Sequence, residues 1–225
     1  METIQRQGES LTYLTVHPSN YRPEESYPLI ILLHGFGADM YDLASLAPAI
    51  DHTGYVYVCP NAPVAFQIGP GMVGYGWGAP GATEDQRSID DMLRTLFSEV
   101  IEQYKVSPGR VILGGFSQGA GMTYRCGLDR PDLFAGLIAL SGGPRDLDQL
   151  RAHLPSQRTQ AIFVAHGTDD PMVPIERARN AVAFLKEEGY TPVYNEYRMG
   201  HEIPPEVLTD LVPWIHAVLT PWHAM

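Results

Sequence analysis

The sequence predicts an α/β fold: a mainly parallel, twisted sheet with helices on both faces. Three observations carry this reading. Short apolar runs recur along the chain, each closed by turn residues. Amphipathic stretches of helical period lie between them. The length of 225 residues suits one α/β domain, taken here as residues 1–225. Strands that alternate with helices pair in parallel, and their connecting helices cover both faces.

Each element has a local reason. Residues 11–16 alternate and are rich in threonine, which predicts an antiparallel edge strand. Buried parallel strands are predicted at 29–33, 55–59, 111–116, 136–140, 161–165 and 193–197. Ile89, Met92, Leu93, Leu96, Phe97, Val100, Ile101 and Tyr104 repeat at three and four, one stripe of a helix that Ser107-Pro108-Gly109 closes. A second helix is predicted over 176–188, with Ala178, Ala181, Val182 and Leu185 inward and Gly189 as its stop. A last helix spans 205–219, where Pro213 predicts a kink or a break. Residues 60–82 break the alternation. They are rich in glycine and proline yet carry Phe66, Met72, Tyr75 and Trp77. Long loops with apolar side chains are usually functional, so this one reads as a wall or cap over the binding crevice; the alternative is a surface Ω-loop packed on itself.

Composition removes several function classes. The net charge is −11, which repels phosphate backbones and anionic lipid heads, so nucleic acid is not an expected partner. Cys59 and Cys126 form neither a disulfide framework nor a CxxC pair; both read as buried hydrophobes in a reducing compartment. Met1 to Arg6 lacks a secretory pattern, and the run Leu29 to Leu33 is too short to span a bilayer, so the expected compartment is the cytoplasm, without stable membrane insertion.

The chemistry centres on Gly115-Phe116-Ser117-Gln118-Gly119, a G-x-S-x-G between a predicted strand and a helix start. Serine at such a sharp turn is strained, and the glycines let strand and helix approach closely. The hydroxyl then stands at a helix N-terminus, which favours developing negative charge. A serine hydroxyl needs a base to take its proton. Among 8 histidines, His201 lies between the last strand and the last helix, on a loop that opens on the same crevice. His216 and His223 belong to the final helix or follow it, His17 and His52 precede the serine, His153 sits in a polar linker, and His34 and His166 read as hydrogen-bonding residues at strand tips. The acid should follow a strand between serine and histidine, where Asp169-Asp170-Pro171 offers two adjacent candidates. Asp170, held extended by Pro171, is the choice; Asp169 stays open, since neighbouring side chains point apart. Leu33-His34-Gly35-Phe36-Gly37 supplies an early glycine loop, so the backbone N–H groups of Phe36 and Gln118 are the expected oxyanion donors. Phe36, Phe66, Met72, Tyr75, Trp77, Met172 and Val173 are the expected substrate-binding residues. No metal site or cofactor is expected: H-E-x-x-H and phosphate-loop patterns are absent.

With these residues in place the chain resembles the carboxylesterase, phospholipase and acyl-protein thioesterase family of the α/β-hydrolases, from Pro28 to Leu219. The resemblance rests on His34-Gly35-Phe36-Gly37, Cys59-Pro60-Asn61-Ala62-Pro63, Gly114 to Ala120, Asp169 to Pro174 and Met199-Gly200-His201-Glu202. It implies Ser117 as nucleophile, Asp170 as acid, His201 as base, and oxyanion N–H groups at Phe36 and Gln118. Ala38 stands before Asp39 where the thioesterases usually place aspartate directly, and the 66–81 segment is unusually rich in glycine. Both features resemble the bacterial esterase branch. The expected function is hydrolysis of short- to medium-chain carboxylic esters through an acyl-enzyme, with a small-molecule ester as partner. Acyl-protein thioesterase or lysophospholipase activity is the alternative, and a non-catalytic small-molecule binder on the same fold is the rival from another class. A homodimer is compatible with the sequence.

Overall fold

The computed structural model describes residues 1–79 and 86–222. The end of the expected cap segment (80–82) and His223 lie outside the described residues.

The chain runs β1 Glu2–Gln7, β2 Thr12–His17, β3 Leu29–Leu33, α1 Met40–Ala44, α2 Ala47–Ile50, β4 Val56–Pro60, β5 Val64–Gly69, β6 Met72–Gly76, α3 Gln86–Gln103, β7 Val111–Phe116, α4 Gln118–Gly127, β8 Phe134–Leu140, α5 Leu147–His153, β9 Ala161–Gly167, α6 Glu176–Glu187, β10 Val193–Tyr197 and α7 Pro205–Val218. Eight strands form one sheet in the order β1-β2-β4-β3-β7-β8-β9-β10. The six from β4 to β10 are parallel, while β1 and β2 join antiparallel. The fold is that of the α/β-hydrolases.

Alternation along each strand builds two cores. Leu29, Ile31, Leu33, Leu113 and Val164 pack under α3, α4 and α6, through Leu93, Leu96, Phe97, Ala120, Ala178 and Leu185. Ile30, Leu32, Ile112, Ile138 and Phe163 face the other way, onto α1, α2 and α7 through Leu43, Ile50, Val207, Leu211 and Ile215. All five residues of β3 are buried. At about 1.5–3 kcal/mol for each large apolar side chain, the central strands dominate the hydrophobic stabilisation.

Three expectations need correction. β2 is not the edge: Glu2–Gln7 pairs outside it. That strand shows no apolar face and was unreadable from composition; its charged, half-exposed residues suit an edge that must not recruit further strands. Pro213 does not break α7. It lies on the exposed face, where water can solvate the carbonyl that loses its partner. Within 60–82, residues 64–76 are not a loop but a two-stranded antiparallel hairpin, β5 with β6.

The tight crossing of β7 and α4 depends on glycine. A Cβ on Gly119 would sit 1.9 Å from the Leu33 carbonyl oxygen, and one on Gly115 would sit 2.3 Å from the backbone of Gly119. These are rigid backbone atoms, so Gly119→Ala must push the helix off the sheet. The expected cost is about 1–3 kcal/mol or more, read as a fall in the urea midpoint. An unchanged midpoint would mean that the elbow adapts freely.

Candidate active site

The loops that follow β3, β7, β8, β9 and β10 all leave from one end of the sheet, because those strands are parallel and in register. Chemistry-bearing residues on them meet there, beyond the carboxyl ends of the strands.

Ser117 joins β7 to α4 with φ 55 and ψ −113. Its N–H is held by the Leu140 carbonyl at 2.8 Å. Non-glycine residues with positive φ cost about 1–3 kcal/mol and persist only where the surroundings enforce them. The hydroxyl does not cap the helix behind it. Gly142 is part of the enforcement: a Cβ there would stand 2.3 Å from the Ser117 carbonyl oxygen.

His201 and Asp170 are brought together. His201 Nδ1 lies 2.7 Å from Asp170 Oδ2, and the Asp170 side chain is fully buried. A carboxylate only accepts, so Nδ1 carries the proton, and in the neutral ring Nε2 holds the lone pair. Asp170 Oδ1 accepts from the N–H groups of Met172 and Val173 at 2.8 and 2.9 Å. Burial by itself would raise this carboxyl above its usual value of 3.8; the bonds from His201, Val173 and Met172 outweigh it and hold the group lower. Asp169 points elsewhere, toward exposed Arg198 at 3.8 Å. The His201 ring packs on Phe116, the residue before Ser117, with centroids 4.7 Å apart. Among the described residues no direct hydrogen bond joins the Ser117 hydroxyl to His201; serine–histidine pairs commonly tighten when substrate arrives.

The lowered Asp170 carboxyl gives a pH signature. Its folded value lies below its unfolded one, so it stabilises the protein above pH 3.8, and that stabilisation is lost as pH falls through the lower folded value. Melting temperatures between pH 6 and pH 3 should therefore fall more for the wild type than for Asp170→Asn. Parallel curves would remove this pair from the acid-stability account.

His166 also touches this acid. It is fully buried, and Nε2 donates to the Val173 carbonyl at 2.8 Å while standing 3.5 Å from Asp170 Oδ2. His34 plays a matching part at the end of β3: Nδ1 donates to the Gly35 carbonyl at 2.7 Å, and Nε2 accepts from Ala62 N–H at 3.0 Å.

The hairpin is fastened to the early glycine loop. Gly37 N–H donates to the Tyr75 carbonyl at 2.8 Å, and Tyr75 N–H to the Ala38 carbonyl at 2.9 Å. Gly37 is thereby spent, and the N–H groups of Phe36 and Gln118 remain without a partner among the described residues. The glycines of β6 have a plain purpose. A Cβ on Gly74 would fall 2.1 Å from the Gly37 carbonyl oxygen, and one on Gly76 would fall 2.8 Å from the Phe36 ring. Gly74→Ala should thus displace the early glycine loop, the expected source of an oxyanion donor, and lower kcat by about tenfold or more, since one lost oxyanion donor costs about 10²–10³. Initial rates on a p-nitrophenyl ester test this; an unchanged kcat would show the hairpin to be independent of the loop.

The Gln118 side chain has a role that its motif did not reveal. Its Oε1 accepts from Trp77 N–H at 2.9 Å and its Nε2 donates to the Gly78 carbonyl at 3.1 Å. The Trp77 indole N–H bonds the His34 carbonyl at 2.9 Å. The chain leaving the hairpin is thus clamped to both glycine loops.

A cavity of about 430 Å³ opens beside Ser117. Of the residues expected from the sequence to bind substrate, Trp77, Met172 and Val173 line it. Phe36, Phe66, Met72 and Tyr75 do not line it. Strand alternation puts Phe66 against Phe36, with ring centroids 4.8 Å apart, leaves Met72 60% exposed near the hairpin turn, and packs Tyr75 on the core. Among the described residues no cluster of His, Cys, Asp or Glu could hold a metal ion, and no helix is long and apolar enough to cross a membrane.

The phospholipase/carboxylesterase family pattern matches residues 20–219. The chain belongs to this family. It is a hydrolase of the esterase and acyl-protein thioesterase type. Acyl-protein thioesterase 1 of Kluyveromyces lactis is 32% identical over 213 residues, spanning 85% of this chain and 92% of that protein. Acyl-protein thioesterase 1 of Mycosarcoma maydis is 28% identical over 239 residues, spanning 93% and 98%. The structure is similar to the Bacillus cereus carboxylesterase at TM-score 0.75 and 17% identity, covering 94% of this chain and 96% of that one. It is also similar to Zea mays acyl-protein thioesterase 2 at TM-score 0.71 and 19% identity, covering 94% and 99%. With the family shown, the reading of this chain as a mere binder falls.

Proposed function

We propose that this phospholipase/carboxylesterase family member is a serine carboxylesterase acting on small carboxylic esters of short to medium acyl chain. Ser117 is the nucleophile, His201 its base and Asp170 the acid that fixes the imidazole. The observation that carries this is the 2.7 Å Asp170–His201 bond, whose tautomer leaves Nε2 free to take a proton. His201 deprotonates Ser117 as the hydroxyl attacks the ester carbonyl. The N–H groups of Phe36 and Gln118 hold the tetrahedral oxyanion. Protonated His201 then gives its proton to the departing alcohol, leaving an acyl-enzyme. Water, deprotonated by the same imidazole, releases the acid and restores Ser117. No cofactor enters this sequence. The hairpin Val64–Gly76 braces the loop that carries the Phe36 N–H, with the Phe66 ring packed on Phe36.

A thioesterase reading is favoured by the names of the fungal relatives. Matched oxygen and sulfur esters of rising acyl length, assayed on wild type and Ser117→Ala, separate the two. Preference for short oxygen esters supports the carboxylesterase; a rate that climbs with long acyl thioesters replaces it with the thioesterase.

A further inference from the structure

The cavity beside Ser117 has the wrong charge for an acidic protein. The chain carries 15 lysine and arginine residues against 26 aspartate and glutamate residues. Yet five arginines, at 87, 94, 125, 145 and 177, line this one cavity, facing three aspartates. Two of the five are neutralised: Arg125 pairs with Asp90 at 2.7 Å and Arg94 with Asp129 at 2.8 Å. The third aspartate, Asp146, accepts at Oδ1 from the Gln149 N–H at the start of α5. Arg145 and Arg177 have no carboxylate partner among the described residues. The lining therefore holds two more positive than negative side chains.

Arg177 lines the same cavity as Ser117. It sits in the first turn of α6, and its stem rests on Gly143: a Cβ there would fall 2.9 Å from Arg177 Cγ. The neighbouring Gly142 abuts the Ser117 backbone. The glycine pair thus lets the Arg177 stem and the Ser117 backbone pack on one loop in the cavity wall. Arg145 follows the same pair on the same loop.

Resting on the esterase reading, we propose that the cavity binds an anionic group of the substrate, a carboxylate or a phosphate held by Arg177 and Arg145 while Ser117 attacks an ester elsewhere in the same molecule. The substrate is then a charged ester, such as the monoester of a dicarboxylic acid, and not a plain fatty acyl ester. Guanidinium groups suit planar or tetrahedral oxyanions through paired N–H donors. The excess positive charge also draws an anion into a cleft that the rest of the surface would repel.

Two substrate pairs test this. Monophenyl adipate against phenyl hexanoate places the carboxylate on the acyl side; 4-(butanoyloxy)butanoate against butyl butanoate places it on the alcohol side. In one pair the charged ester is expected to show kcat/KM about tenfold or more above its neutral partner, the scale of one hydrogen bond to a charged group. Arg177→Gln and Arg145→Gln should each cut that ratio about tenfold, and Arg177→Lys should restore part of it. A neutral preference in both pairs, or ratios that ignore both glutamine variants, would overturn the proposal. Calorimetric titration of Ser117→Ala with adipate, and separately with inorganic phosphate, reads the anion site without turnover and tells the two anions apart. Arginine-dependent binding without hydrolysis of any ester would keep the anion site and remove the esterase reading. Hydrolysis without preference or binding would do the reverse.

Discussion

Ser117→Ala should lower kcat by about 10⁵–10⁶-fold while leaving the fold intact, the scale on which loss of a catalytic serine acts. Among the described residues this hydroxyl does not cap α4. Ser117→Gly makes the same point with opposite signs. At φ 55 and ψ −113 the backbone occupies a mirror-image region that glycine adopts freely. Relief of about 1–3 kcal/mol of strain exceeds the extra flexibility of an unfolded glycine, about 0.5–1 kcal/mol. The glycine variant should therefore melt higher than the wild type and be inactive. A variant that melts lower would mean that the elbow is not strained.

Asp170→Asn should cost about 10⁴-fold in kcat, because the amide enforces the wrong imidazole tautomer. The asparagine oxygen can still accept from the Met172 and Val173 N–H groups, so the loop keeps its shape. Its NH₂ then faces His201 Nδ1, which must become the acceptor. The ring proton moves to Nε2, and the lone pair that Ser117 needs is gone. Pre-steady-state kinetics on a p-nitrophenyl ester would show slow acylation with KM little changed. A loss of less than about tenfold would assign the orienting role to another group, and His166, 3.5 Å from the same oxygen, would be the first to examine.

Much of this was legible in the chain, and the reasons are local. The central strands are buried on both faces, so they read as unbroken apolar runs, and Leu29–Leu33 appears where the sequence predicts it. The α3 stripe and the Gly189 stop, with φ 89, are equally local. Position 170 over 169 could not be read from spacing, because only the loop geometry decides which carboxylate turns inward. The 64–76 hairpin was hidden by its glycines. Alternating Gly74 and Gly76 read as a loop, yet they mark a strand pressed against Gly37 and Phe36. β1 was hidden for the opposite reason, as a polar edge buries no stripe. The Gln118 clamp and the exposed Arg177 needed three dimensions, because each acts through partners far away in sequence.

The most direct test of the central claim is covalent. A fluorophosphonate probe reacts with a serine only when a base has activated it and an oxyanion site receives the phosphonyl oxygen. Intact-mass analysis followed by peptide mapping should show one adduct, on Ser117, abolished in Ser117→Ala and strongly slowed in His201→Ala. A folded protein that stays unlabelled, or an adduct on a different serine, would contradict the account.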